Sequence, residues 1–241
     1  KLANIRKAEG DNLVKVVYIC SNIAIADQNL NKLRISTEVR KENAGYSRLS
    51  MQHLNIFNQE NDPELLNSFI QLIPLTPDTS FRMTSGAGTV SERALMFAIL
   101  SRLPELQDYL WQMEIIMKND AYSAWGWECD WYEKQVVACD QKSKNKYIKY
   151  MVKQATSLLK KRQPNGKSLL KELVAHCEEV KASHNKRIPN NELIGKLRII
   201  FAQISLDKLE PDLVIMDEFQ RFKYLINSDP ESETGLLANK F

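Results

Sequence analysis

No apolar run in these 241 residues approaches the roughly 20 that a membrane-crossing helix needs. The amino terminus has no signal-like pattern either, so the expected compartment is the cytoplasm and a membrane is excluded as a partner. Cysteine is sparse. Cys20, Cys129, Cys139 and Cys177 lie far apart and none forms a CxxC, which argues against a zinc knuckle and for a reduced, intracellular chain. The three histidines, His53, His176 and His184, show no metal-ligand spacing, and no serine sits in a GxSxG. Zinc sites and hydrolase triads are therefore poor readings. Net charge is only +3, so the whole chain is not a nucleic-acid-binding polycation. No internal repeat is visible. Hydrophobic content of 44% is ordinary for a globular protein, and the length allows one large domain or a core with an insertion.

What is present has α/β texture at both ends and helices between them. Leu13–Cys20 (LVKVVYIC) is β-rich and apolar and predicts a buried strand. Ser21 and Asn22 then suit the cap of a helix over 23–33, whose Ile23, Ala26, Leu30 and Leu33 have helical spacing. Residues 48–57 have short strand character at best. A helical pattern over 63–72 runs into the apolar 71–76, which Pro77 stops. Ser91 opens an amphipathic helix after Ser85-Gly-Ala-Gly-Thr89, and a mostly helical middle extends to about residue 190, broken at 163–167. Residues 191–209 repeat the amphipathic pattern, with Leu193, Leu197, Ile200, Ile204 and Leu209 near one face.

The segment 211–222, PDLVIMDEFQRF, concentrates the chemistry. Its apolar run, 213–216, suits a strand buried on both faces, as in the middle of a parallel sheet. The run ends in Asp217 and Glu218. Adjacent acids at the carboxyl end of such a strand line the crevice where ligands bind, and are costly unless a cation or a reacting water uses them. The pattern resembles a Walker B (DExx) box, in which the Asp helps hold Mg²⁺ and the Glu deprotonates the attacking water. The alternative is a strand followed by an acidic helix amino terminus.

Other motifs keep two readings. Ser21-Asn22 could seat a phosphate or simply cap a helix, and Gln28 and Asn29 could contact a nucleic-acid backbone or be solvated. Thr76–Phe81 (TPDTSF) is a turn with three hydroxyls. Ser85–Thr89 is a glycine-rich approach to a helix that could cradle an anion or serve as a loop. Asn165-Gly166-Lys167-Ser168 ends like a phosphate-binding loop. Its first glycine is replaced by Lys161, after a helix rather than a strand, so it is a decoy. Trp111, Trp125, Trp127 and Trp131 could stack bases, although a helical core and its rim is the commoner use. The run 142–162 carries eight Lys/Arg and no acid, ending in Lys160, Lys161 and Arg162. Such runs are usually solvated helix faces and sometimes contact nucleic-acid backbones.

In order, these pieces resemble the first RecA-like lobe of superfamily 2 helicases, in particular Swi/Snf-like, helicase-related proteins of bacteria. VVYICSNIAIADQNLNKL is similar to motif Ia, LIPLTPDTSF to the motif Ib region, and SGAGTVSERALMFAIL to the helix after it. LRIIFAQISLDKLEPDLVIMDEFQRFKYLI resembles the helix leading into motif II and motif II itself. The resemblance implies an α/β fold: a partial RecA-like (P-loop NTPase-type) parallel sheet with a large, mainly α-helical insertion. Residues 1–104 and 191–241 would belong to the lobe and 105–190 to the insertion. It gives Asp217 a role near Mg²⁺ and nucleotide, Glu218 that of general base, and Gln220 that of coupling residue. Ser21, Asn22, Thr79 and Ser80 would lie on the path of the nucleic-acid backbone, DNA in the expectation, read with low sequence specificity.

The departures are as specific. The chain lacks a Walker A motif, a motif III and the lobe that supplies the arginine finger. It therefore resembles a fragment of an ATP-dependent helicase or translocase whose missing parts lie in the same polypeptide. ATP and Mg²⁺ would serve the intact protein, and neither is expected to bind this fragment tightly or be hydrolysed by it. The alternative function is a non-catalytic helical module that binds nucleic acid or protein.

Overall fold

The computed structural model describes residues 5–6, 8–10, 14–20, 28, 39–41, 48–61, 70–75, 86–121, 123–162, 166–184, 186 and 188–217. The chain divides into two compact units. One comprises residues 1–82 with 205–241, and the other residues 83–204. The second unit thus takes in the amphipathic segments at 91 and 191 that the sequence groups with the two ends.

The first unit is built on a parallel sheet. Strands β1 (Val14–Ile19), β2 (Val39–Lys41), β3 (Ile70–Leu75) and β4 (Leu213–Met216) run in the spatial order β2-β3-β1-β4. β1 is central, pairing with β3 from Val14↔Ile70 to Ile19↔Leu75 and with β4 from Val16↔Leu213 to Ile19↔Met216. Its β-branched run suits that place, because a strand between two parallel neighbours has both faces covered. Val14, Val17, Ile19 and Cys20 are buried almost completely. Val14, Val16, Tyr18 and Cys20 form an apolar layer with Ile70 and Ile215. β4 corrects the expectation of a strand buried on both faces. It is an edge among the described residues, paired only with β1, and Leu213 is 40% exposed.

Helix α1 (Gln52–Glu60), entered through a 3-10 turn at Leu49–Met51, replaces the strand character expected over 48–57. Ser50, His53, Leu54 and Phe57 are buried at helical spacing, and two of the four are polar. The apolar letters alone therefore look short and irregular. The His53 amide donates to Ser205 Oγ at 3.0 Å, which ties α1 to the last residues of α7 (Asn191–Leu209). Glu60 accepts ion pairs from Lys15 (3.1 Å) and Lys208 (2.7 Å), and Lys208 also lies 4.8 Å above the Phe57 ring.

The second unit is helical: α2 (Val90–Leu100), α3 (Leu110–Lys118), α4 (Trp125–Lys142), α5 (Tyr147–Lys160), α6 (Leu169–Ala182) and most of α7. α2 packs against α3, α4 and α5, while α6 packs against α3 and α5. Burial follows one stripe on α4, α5 and α6, whereas eight of the eleven residues of α2 are buried. In α5 the stripe is Tyr147, Met151, Ala155 and Leu159, and in α4 it is Trp125, Tyr132, Val136 and Cys139. Asn190 Oδ1 accepts the Leu193 amide at 2.9 Å and so caps α7. Leu193, Leu197, Ile204 and Leu209 are buried as their spacing requires, and Ile200 is 8% exposed. No helix among the described residues is long and apolar enough to cross a membrane.

Candidate functional site

The carboxyl ends of β3, β1 and β4 finish side by side. The sheet pairing continues one step beyond the strands, with Cys20 N donating to Leu75 O (3.2 Å) and Asp217 N to Ile19 O (2.8 Å). Ligands of open parallel sheets bind outside this edge. Asp217 reaches it through β4, and its Oδ2 accepts a short hydrogen bond from the Tyr18 hydroxyl. Tyr18 is 4% exposed, so a ring packed in the sheet layer holds the carboxylate in one place. At the opposite end of the same strand pair, Asp212 accepts from Lys15 N (2.8 Å) and pairs with Arg6 (3.2 Å). β4 is therefore fastened to β1 by a carboxylate at each end.

Asp217 is the member of the DEFQ box within the described residues. Glu218 and Gln220 lie outside them, as do Ser21, Asn22, Thr79 and Ser80, most of the expected helix over 23–33 and residues 63–69 of that over 63–72, whose residues 70–72 are strand β3 rather than helix. Gln28 is helical and exposed. Lys160, Lys161 and Arg162 are exposed at the end of α5, in the other unit, and Lys160 pairs with Glu105 at 2.5 Å. That pairing holds the Glu105 carboxyl below its usual range.

Among the described residues no group of three His, Cys, Asp or Glu side chains could hold a metal ion. A lone, fixed carboxylate does fit Mg²⁺ delivered with a nucleotide, because that ion keeps several waters and takes one or two carboxylates plus phosphate oxygens. None of the four cysteines is in a disulfide, and burial first of all pushes the Cys129, Cys139 and Cys177 thiols up to about 12. Thiols so protonated are poor nucleophiles and poor metal ligands.

The glycine-rich segment before α2 has a definite structure. Thr89, rather than the expected Ser91, caps the helix. Its Oγ1 accepts from Glu92 N at 3.2 Å, while Glu92 Oε2 accepts from Thr89 N at 2.9 Å. The sequence carries this capping box as T-x-x-E, one register ahead of the serine. Glu92 Oε1 also accepts from Arg198 Nε at 3.2 Å, with side chains 1% and 2% exposed. Gly88, at φ +69°, lies so close that a Cβ there would sit 2.5 Å from Arg198 Nε. Arg93 donates to Gly88 O, Lys118 O and Asp120. A cavity of about 550 Å³ opens here, lined by Thr89, Ser91, Asn119, Asp120 and Glu128 among others. The carboxylate that the α2 amino terminus favours is the chain's own Glu92, so the segment acts as a structural lock rather than an anion cradle.

The decoy at 165–168 is also structural, since Ser168 Oγ accepts from Lys171 N and caps α6. The tryptophans divide. Trp125 is core, 2% exposed, and donates to Glu114 at 3.1 Å. Trp111, Trp127 and Trp131 are 61%, 65% and 46% exposed, which corrects their expected place in a helical core and its rim. Trp127 and Trp131 fall on the side of α4 away from its buried stripe and stack on each other. No protein family, curated protein or solved structure matches this chain.

Proposed function

We propose that this chain is part of the first RecA-like lobe of an ATP-dependent nucleic-acid helicase or translocase, in which β4 and the residues after it form the Walker B element. One observation carries the reading. Three neighbouring parallel strands end together, and the strand that finishes in Asp217-Glu218 lies beside the one that leads to Ser21-Asn22. In an open sheet that edge is where nucleotide and nucleic acid would both be met. The fixed Asp217 carboxylate supports a Mg²⁺-nucleotide role. Mg²⁺, when bound with ATP, would neutralise charge on the transferring phosphoryl group. Asp217 would hold it, Glu218 would orient and deprotonate the attacking water, and Gln220 would couple nucleotide to nucleic acid. Ser21, Asn22, Gln28, Thr79 and Ser80 would contact the backbone of the nucleic acid, taken to be DNA.

Tight nucleotide binding needs the amides and lysine of a phosphate-binding loop. The chain by itself is therefore proposed to be inactive, and the cytoplasm is its proposed compartment. Glu218→Gln in the intact polypeptide tests the reading through ATP turnover, which should fall by roughly 10²–10⁴-fold, the usual effect of losing a general base.

A further inference from the structure

The outward faces of α4 and α5 differ from an ordinary solvated helix surface. The buried stripe of α5 is Tyr147, Met151, Ala155 and Leu159. At 100° per residue, Lys146, Lys149, Lys153 and Lys160 fall within about 60° of one another on the opposite side, in a row roughly 21 Å long. All four are exposed, Lys160 being paired with Glu105, and Lys142, Lys144, Lys161 and Arg162, also exposed, flank the row in sequence. α5 carries no acid. Solvated helix faces usually alternate charges so that residues three and four apart attract, whereas Lys146, Lys149 and Lys153 repel one another at those spacings.

Two of the four acids on the neighbouring α4 are turned to structural work. Asp140 Oδ1 accepts the Ile148 amide at 2.8 Å, and Glu133 takes the Arg102 guanidinium. α4 packs against α5 and carries the second unusual feature. The Trp127 and Trp131 rings lie 5.9 Å apart and 12° from parallel, both exposed, with Lys134 one turn further along the same face and Asp130 beside them. Exposed apolar groups held together in this way mark binding surfaces.

We infer that the α4–α5 pair is a binding surface for single-stranded nucleic acid, with the α5 lysines holding phosphates and the Trp127–Trp131 stack receiving bases. Charge complementarity selects a polyanion. The indoles select a single strand, because unpaired bases offer their π faces and a duplex does not. The surface lies wholly within the 83–204 unit and does not depend on the motor reading of the DEFQ box.

The test measures binding of a fluorescein-labelled oligothymidylate to the whole chain by anisotropy over a range of salt concentrations. Lys146→Ala/Lys149→Ala/Lys153→Ala should weaken binding at least tenfold and flatten the log K against log salt slope by about 2, since each single-strand phosphate contact contributes about 0.7. Trp127→Ala/Trp131→Ala should weaken it roughly tenfold or more with the slope unchanged. All five positions are exposed, so both variants should keep the wild-type circular dichroism spectrum. Failure of the wild-type chain to bind at low salt would overturn the inference. So would wild-type affinity in either variant, or equal affinity for a duplex or an acidic peptide of the same charge.

Discussion

At the residue scale the Glu92–Arg198 pair is a buried, long-range ion pair within the 83–204 unit. Both side chains are nearly fully buried, and Glu92 also closes the capping box on Thr89. Removing one member of a buried ion pair takes an opposite charge away from the other in a dry interior, which is strongly destabilising. Glu92→Gln should lower the unfolding free energy by about 3–5 kcal/mol, read as a fall in the urea midpoint. Neither residue stands out in the sequence, because a glutamate in the first turn of a helix and an arginine in an amphipathic one are each unremarkable. Their pairing joins positions 106 apart and is visible only in the fold.

His53 shows the same limit. It is 0% exposed, and burial lowers its pKa from 6.5 to about 3, against a smaller opposing effect of a backbone hydrogen bond at Ser50. A depressed histidine pKa means that the unfolded chain takes up the proton first as pH falls. His53 therefore adds stability above about pH 6.5 that is progressively lost between there and about pH 3. Over that window stability should fall by up to about 1.4 kcal/mol per pH unit from this group. Urea midpoints of the wild type and of His53→Leu, compared at pH 7 and pH 5, check it: the variant should lose this part of the acid sensitivity.

At the element scale the strands β1 and β4, with continuous β-branched or apolar runs, are legible in the sequence, and so is α7 with its Leu/Ile stripe, whereas the first half of β3 reads as the end of a helix. Their buried positions repeat with the period of the element, and Pro211 and Asn190 mark ends that the structure keeps. What misleads is burial that does not depend on apolarity. α1 hides behind Ser50 and His53, and Trp127 and Trp131 of α4 look like core letters although their helical phase points away from Trp125, Tyr132 and Val136. β4 reads as doubly buried because its letters are apolar, yet strand order decides exposure, and a single segment does not encode its neighbours. The Tyr18–Asp217 contact arises at this scale, from β1 and β4 lying side by side. Tyr18→Phe removes the donor and keeps the ring. It should destabilise the chain by about 1.5 kcal/mol, the lower end for a hydrogen bond to a charged group because Asp217 is half-exposed. Chemical denaturation measures the loss, and Asp217→Asn combined with Tyr18→Phe should lose less than the two changes summed.

At the scale of the whole molecule the sequence order of the candidate motifs acquires a spatial meaning. Segments 14–20, 70–75 and 213–217, scattered over 204 positions, become three adjacent parallel strands that open on one edge. The helical unit between them is inserted between the third and fourth strands of that sheet. Nothing in the individual strands announces this arrangement, since β1 pairs with β4 across an interval of nearly the whole chain. The same order separates two kinds of proposed contact, a nucleotide-linked one beside Asp217 and a lysine–tryptophan one on α4 and α5.

Under the proposed function, Asp217-Glu218 is a working ATPase pair in the intact polypeptide. The most direct measurement is nucleic-acid-stimulated ATP turnover by that polypeptide with Glu218→Gln, alongside its affinity for ATP. Turnover should fall by roughly 10²–10⁴-fold with ATP binding retained, because a general base acts on the water and not on the triphosphate. Unchanged turnover would contradict it.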